Sequence, residues 1–383
     1  MGIYLDYNAT SPIDERVLEL MVDVYRNNYG NADSRTHDYG DSARRIVEEA
    51  RQKVAEMLEI KKDEVFFTSG ATESNNIAIR GLKDFGIKNE KKHIITSSIE
   101  HKAVLESAKY LANEGFDVEY VSPDLSGRVS YEDIINKIRN DTLLISIMHV
   151  NNETGVIQPV KEIGERLAEL GIYFHIDATQ SCGKLIEELR KLKYDMLSFS
   201  AHKLYGPQGI GALVLKKKRY KLPPIKGIMF GGGQEHGIRP GTVPVALVAG
   251  MGEACRLAVE EHGENMSKYV EIKKIALNLL EQSGLNYHIN GELAYIIPNT
   301  LNVSLTNVSS EALMLSTKQY CGISNGSACN SQEYAPSFVL SAMGIKQEQI
   351  ENAIRISWGK DTSIEAFKMN FEELLTVARG LVF

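Results

Sequence analysis

The sequence predicts an α/β protein in which a large domain, built on a mostly parallel seven-stranded sheet, is followed by a smaller α+β domain. Three observations point there. Seven short apolar runs rich in β-branched residues read as strands, at Val65–Thr68, His93–Ser97, Val118–Val121, Leu143–Val150, Tyr173–Asp177, Met196–Ser200 and Gly211–Leu215. Their near-continuous hydrophobicity is that of strands covered on both faces. Helical patterns fall between them at Glu73–Asp84, Lys102–Asn113, Tyr131–Arg139 and Val160–Leu170, and such alternation builds parallel crossover units. After about Gly252 the alternation stops. A long helical stretch, Glu253–Ser283, then leads to separated strands at Thr300–Leu305, Gly322–Gly326 and Ala353–Ser357, and to a closing helix near Ser363–Arg379. The expected division is a large domain over residues 14–252 and a small domain made of residues 1–13 and 253–383.

Composition narrows the function classes. The 383 residues suffice for two domains, and 43% hydrophobic with 24% charged residues is ordinary for a globular chain. A formal net charge of -7 gives no footprint for a nucleic acid or a membrane surface. The one basic run, Lys216 to Arg219, is short, stands just ahead of Pro223-Pro224 and reads as a solvated loop. No apolar stretch approaches the length of a membrane span, and Met1 to Tyr7 lacks a signal core. The expectation is a cytoplasmic protein that binds neither membrane nor nucleic acid directly. Four cysteines, Cys182, Cys255, Cys321 and Cys329, make neither a disulfide framework nor the paired spacing of a zinc site, so no metal is expected.

Four stretches carry residues suited to chemistry. Lys203 comes directly after the strand Met196–Ser200, in Ser200-Ala201-His202-Lys203-Leu204-Tyr205-Gly206-Pro207. Lysine is among the least buried residue types, and alone it reads as a surface residue at a strand end. Asp177 ends the strand Tyr173–Asp177, where α/β sheets bind ligands, though alone it is an ordinary helix cap. The two together are more specific, because a carboxylate can keep a pyridine nitrogen protonated while a lysine condenses with an aldehyde. The stretch Thr68-Ser69-Gly70-Ala71-Thr72-Glu73-Ser74-Asn75-Asn76 leaves a strand and opens a helix. Its free N–H groups and the helix dipole suit an anion, and the same residues suit an N-cap. His101, just beyond a strand, could stack on a flat ring or move protons, or simply be polar surface.

In their order along the chain these stretches resemble the class V branch of fold-type I pyridoxal-phosphate (PLP) enzymes, and within it the cysteine desulfurases of the IscS/NifS type. The resemblance runs almost end to end. It includes Leu5-Asp6-Tyr7-Asn8-Ala9-Thr10, Gly70-Ala71-Thr72-Glu73-Ser74-Asn75-Asn76, Glu100-His101-Lys102, Asn151-Asn152-Glu153-Thr154-Gly155 and Asp177-Ala178-Thr179-Gln180. It continues through Ser200-Ala201-His202-Lys203, Gly231-Gly232-Gly233-Gln234-Glu235, Gly241-Thr242, Gly326-Ser327-Ala328-Cys329 and Ile354-Arg355-Ile356-Ser357.

What the resemblance implies is a PLP enzyme acting on L-cysteine. Lys203 would bond to the cofactor and then move the substrate's Cα proton, Asp177 would pair with the pyridinium nitrogen, His101 would stack on the ring, and Gln180 would donate to its hydroxyl. Thr72, Ser200, His202 and the amide of Ala71 would hold the phosphate, with Thr242 reaching the phosphate of the partner subunit in a homodimer. Asn152, which also touches the cofactor, and Arg355 would hold the substrate carboxylate, with Asn8 beside them; a guanidinium fork suits that planar anion.

The cysteines decide which class V chemistry is implied. Cys329 lies in Ser324-Asn325-Gly326-Ser327-Ala328-Cys329-Asn330-Ser331, a run of small and polar residues that reads as a mobile loop. Cys182, Cys255 and Cys321 lie in apolar settings and read as structural. Cys329 would therefore take the sulfur as a persulfide and pass it to an acceptor protein. That acceptor would be an iron–sulfur scaffold, a tRNA-thiolation protein or a DNA phosphorothioation system; the chain stops at Phe383, soon after its last helix, where the family's housekeeping members that feed iron–sulfur scaffolds usually carry a further docking segment. A selenocysteine lyase, or another class V enzyme, is the alternative. Ala32, His236, Pro240 and Trp358 depart from the family pattern without touching these roles.

Overall fold

The computed structural model describes residues 2–325 and 336–382. Its strands, in chain order, are β1 (Ile3–Tyr4), β2 (Val65–Thr68), β3 (His93–Ser97), β4 (Asp117–Val121), β5 (Thr142–Met148) and β6 (Tyr173–Asp177). They continue with β7 (Met196–Ser200), β8 (Gly211–Leu215), β9 (Tyr287–Ile289), β10 (Thr300–Leu305), β11 (Cys321–Gly322) and β12 (Ala353–Ser357). Seven of them form one sheet in the order β2-β8-β7-β6-β5-β3-β4. The neighbours β4, β3, β5, β6 and β7 run parallel, while β8 is antiparallel to both β7 and β2. The reversal follows from connection length. Only residues 201–210 join β7 to β8, too few for the crossover that a parallel pair needs.

The seven strands expected from sequence are all present, within one or two residues at their ends. Helices are less well placed by pattern alone. The stretch expected as 73–84 is two helices, Ala71–Arg80 and Lys83–Lys88, and the one expected as 131–139 stops at Asn136. The long stretch 253–283 is likewise two, Val245–Glu260 and His262–Gln282. They part at Glu261, whose carboxylate faces Arg16 and Lys360. The strand expected over 322–326 is the two-residue β11, paired in parallel with β1. The basic run is also more than a solvated loop. Lys216 pairs with Glu64 at 3.1 Å, Lys217 with Asp63, and Lys218 with the buried Asp195 at 2.6 Å.

Burial divides the apolar side chains into separate clusters. The largest gathers residues from Val17 to Leu257 and includes one face of β6, with Phe174 and Ile176, and one face of β7, with Leu197 and Phe199. Another gathers Leu5 with residues from Tyr269 to Ala378, around β10, β12 and the helix Ile364–Gly380. Leu5 thus draws the N-terminus to the second cluster, although the next helix, Glu15–Asn27, packs on the first. Trp358, one of the departures from the family pattern, is fully buried in the second cluster. Its ring meets Phe367 edge-on at 5.8 Å, and its Nε1 donates to the Tyr269 carbonyl at 3.2 Å.

That position generates a stability prediction. Truncating Trp358 to Ala should lower unfolding free energy by about 3–5 kcal/mol, the usual cost of removing a large buried aromatic. Trp358→Phe keeps most of the volume and loses one hydrogen bond, worth about 1 kcal/mol. Urea unfolding followed by far-ultraviolet circular dichroism checks both. An Ala variant as stable as the parent would show that this core does not depend on the ring.

Candidate active site

The C-terminal ends of β2, β5, β6 and β7 open onto a cavity of about 590 Å³. Loops that leave parallel strands at one edge converge there, which is why α/β sheets place ligands at that edge. Asp177 ends β6, 4% exposed, and its carboxylate is held from two sides. Asn75, from the helix Ala71–Arg80, donates to Oδ2 at 2.7 Å. Thr179 donates to Oδ1 through its N–H at 3.0 Å and its hydroxyl at 2.5 Å. A carboxylate so bound cannot turn away from the cavity.

The titratable groups around Asp177 are driven neutral. His175, on the same strand and fully buried, has its pKa pushed down to about 4 by that burial, against the pull of Asp177. It sits between the hydroxyls of Ser146 and Ser198, at 2.8 and 2.9 Å. Glu100 is fully buried too, and burial pushes its carboxyl up to about 8. Ser97 and the Met148 N–H both donate to its Oε1. A protonated Glu100 adds no second negative charge beside Asp177.

Lys203 follows β7 in a tight turn, Ala201–Lys203. Its Nζ lies 2.5 Å from the carbonyls of Asn8 and of Ala9, so the N-terminal strand segment supplies its cradle. His202 faces the Thr10 hydroxyl at 3.1 Å. Burial, then the charges of Lys203 and Lys184, lower its pKa to about 4 and keep it neutral.

The stretch expected from sequence to suit an anion also lies at the cavity. Gly70 has φ of 154° and N-caps the ten-residue helix Ala71–Arg80, leaving the first-turn amides of Ala71 and Thr72 at the cavity. A Cβ on Gly70 would stand 3.4 Å from the Ser200 hydroxyl, and one on Gly211 only 2.6 Å from the Gly70 Cα. Backbone can come this close because residue 211 is glycine, while the φ of residue 70 is one that glycine adopts most readily. His101 caps the helix Lys102–Asn113, its Nδ1 accepting from the Ala103 N–H at 3.1 Å, and also lines the cavity.

On β12, Arg355 is 3% exposed. Its Nη2 meets Asp6 at 2.6 Å and its Nη1 donates to the Asn152 carbonyl at 3.0 Å. Its Nε is buried without a partner among the described residues. Asn8 donates to the same Asn152 carbonyl at 3.3 Å and to Thr300 at 3.1 Å. Gln180 spends its Nε2 on the Asn8 carbonyl at 2.9 Å, and its Oε1 is buried and unpartnered among the described residues. The Asn8 carbonyl fixes this orientation, so the Gln180 amide presents an acceptor where a donor is expected from sequence.

Eleven of the residues singled out from sequence thus line one cavity: Asn8, Ala71, Thr72, His101, Asn152, Asp177, Gln180, Ser200, His202, Lys203 and Arg355. Thr242 does not line it and is exposed in its Gly-rich stretch. Cys329 lies outside the described residues. The other cysteines are buried. Burial raises the thiols of Cys182 and Cys255 far out of the reactive range and that of Cys321 to about 12, and Cys321 also donates to the Asn370 carbonyl. Asp6 carried no role in the sequence reading. Its position beside Asn8 was a clue, but its partner is 349 residues away.

These residues fit PLP. A fixed carboxylate, a lysine, free helix amides and unpartnered polar atoms on Gln180 and Arg355 answer the cofactor's ring nitrogen, aldehyde, phosphate and hydroxyl, and a substrate carboxylate.

Comparison with known proteins agrees with this geometry. Residues 3–367 match the aminotransferase class-V family. Cysteine desulfurase IscS of Serratia proteamaculans is 45% identical over 368 residues, covering 95% of this chain and 90% of that protein. The IscS of Escherichia coli (strain K12 / DH10B) is 44% identical over 375 residues, covering 97% and 91%. Among solved structures, a NifS-like protein superposes with a TM-score of 0.91 at 38% identity, covering all of both chains. DndA from Streptomyces lividans gives a TM-score of 0.81 at 41% identity, covering 93% and 99%. The chain belongs to the aminotransferase class-V family, among its PLP-dependent cysteine desulfurases.

Proposed function

We propose that this one cavity binds PLP and L-cysteine together and that Cys329 takes the sulfur. The observation that carries the reading is the meeting of Asp177, Lys203 and the first turn of the helix Ala71–Arg80 in a cavity that Arg355 also lines. PLP, when bound, supplies an electron sink for charge that develops on the substrate's Cα. Asp177 keeps the ring nitrogen charged, His101 stacks on the ring, and Gln180 meets its hydroxyl. The amides of Ala71 and Thr72, the Thr72 and Ser200 hydroxyls and neutral His202 hold the phosphate.

Arg355 and Asn152, with Asn8, hold the substrate carboxylate. The unpartnered Nε of Arg355 is the donor the substrate would satisfy. Lys203 Nζ moves the proton at the substrate Cα. The Cys329 thiolate then bonds to the substrate Sγ as the Cβ–Sγ bond breaks. The electron pair of that bond stays with the carbon skeleton, which is protonated and leaves as L-alanine. Sulfur is oxidised by losing the pair that carbon keeps, so no outside oxidant is required, and the persulfide passes to an acceptor protein.

Two further parts belong to the same proposal. The enzyme is a cytoplasmic homodimer in which exposed Thr242 reaches the partner's phosphate site; the helices of the described residues include none long and apolar enough to cross a membrane. The large domain spans 14–252 and the small domain 1–13 with 253–383, although the helix Val245–Glu260 packs with the first core throughout.

Lys203→Ala should purify without borohydride-reducible attachment of PLP and should release no alanine from L-cysteine. Wild-type turnover by this variant would remove the PLP assignment. Cys329→Ser should keep PLP and its spectral response to L-cysteine while persulfide formation falls by a factor of about 10³ or more, the usual loss on removing a covalent nucleophile. Trapping with an alkylating reagent and mapping by mass spectrometry checks this, and a persulfide on Cys321 instead would overturn it. Mixed Lys203→Ala and Thr242→Ala subunits should form heterodimers with one intact site and recover activity that neither parent has. Full activity from a sedimenting monomer would contradict the shared site.

A further inference from the structure

Glu153 sits beside Asn152 in the turn after β5 and is 3% exposed. That turn is rigid. Asn151 Oδ1 accepts the N–H groups of Glu153 and Thr154 at 2.9 and 3.0 Å, Asn151 Nδ2 donates to the Ile99 carbonyl, and Asn302 donates to the Glu153 carbonyl at 3.1 Å. The Glu153 side chain spends its Oε2 on the hydroxyl of Ser337, which donates at 2.5 Å. Ser337 is the N-cap of the helix Phe338–Ala342, and its oxygen accepts from the Leu340 N–H at 3.1 Å. Capping uses only a lone pair of that oxygen, so the hydroxyl proton is left for Glu153. A bare cap would not require a buried carboxyl, which is costly to desolvate.

Ser337 stands eight positions after Cys329. The helix it opens packs Val339, Leu340 and Met343 against Ile99, two residues before His101. On the other side of Cys329, Ser324 exchanges backbone hydrogen bonds with Arg355, at 3.2 and 2.5 Å. The chain is therefore tied on both sides of Cys329 to the elements that would bind the substrate carboxylate, Arg355 before it and the Asn152 turn after it.

We infer that Glu153 is a positioning residue for sulfur transfer: through Ser337 it holds the start of the helix Phe338–Ala342, eight positions after Cys329, against the turn proposed to bind the substrate carboxylate. This rests on the roles proposed above for Cys329 and Asn152. Glu153 touches neither cofactor nor substrate in it. Burial pushes its carboxyl up to about 7, against the Ser337 bond and the positive charges of Arg355 and Lys102 that face it. A glutamine copies the neutral form and still accepts from Ser337.

The test separates the two stages of the reaction in holoenzyme carrying Glu153→Ala, Glu153→Gln or Ser337→Ala. The first readout is the rate and half-saturating L-cysteine of the substrate-induced change in PLP absorbance, which needs no Cys329. The second is the single-turnover rate of alkylation-trapped persulfide on Cys329. Glu153→Ala and Ser337→Ala should leave the first within about twofold and slow the second by about tenfold to a hundredfold, the range that small misplacement of a reacting group costs. Glu153→Gln should restore the second to within about twofold of wild type, since it keeps the bond. Equal loss in both readouts, no loss in either, or a Gln variant as slow as the Ala variant would overturn the inference. Absence of any Cys329 persulfide in the wild type would remove the assignment of Cys329 itself, and this inference with it.

Discussion

The charge of Asp177, fixed at the end of β6, is the constraint on which the rest of the site depends. A carboxylate at 4% exposure is costly to desolvate, and three hydrogen bonds from Asn75 and Thr179 offset that cost while fixing its direction. Its neighbours are arranged so as not to disturb it. His175 is kept neutral between two hydroxyls, and Glu100 is kept neutral by complete burial. Neither His175 nor Glu100 therefore adds a charge beside Asp177, in a buried setting where a charge acts strongly on a bound ring.

Asn75 links this charge to the anion site. The same helix, Ala71–Arg80, that offers first-turn amides to a phosphate also sends Asn75 inward to Asp177. The two ends of a cofactor would therefore be held by one rigid element, so the spacing between phosphate site and acid is set by helix geometry. The close approach of Gly70 and Gly211 presses the start of that helix onto β8, which locks the spacing to the sheet.

The N-terminal segment performs the other linkage. β1 pairs with β11, Leu5 enters the second core, Asp6 meets Arg355, and the carbonyls of Asn8 and Ala9 hold Lys203. The seven residues from Ile3 to Ala9 thereby connect Lys203 to the arginine proposed to bind substrate. Burial sorts the cysteines in a comparable way. The three described thiols are raised by desolvation, which disfavours their thiolate forms, and Cys329 is the remaining cysteine of the sequence.

Short-range pattern was enough for much of this. The seven strands of the large sheet, Asp177 and Lys203 at strand ends, and the opening of a helix within Thr68–Asn76 were legible because each is a local signature a few residues long. Helix breaks at Gly81 and Glu261 were not, since apolar periodicity continues across both; the Gly81 carbonyl accepts from the Lys226 N–H and the Glu261 carboxylate meets Arg16 and Lys360, partners far along the chain. Nor was β1, whose two residues carry no pattern without β11 beside them. The pairs Asp6–Arg355 and Glu153–Ser337 are separated by 349 and 184 residues, and no spacing rule spans such distances. The sequence by itself determined which side chains are available and which strand end or helix start presents each one. Tertiary structure alone decided which of them meet, and which carboxyls and imidazoles lose their charge, because both depend on burial by elements far away in the chain.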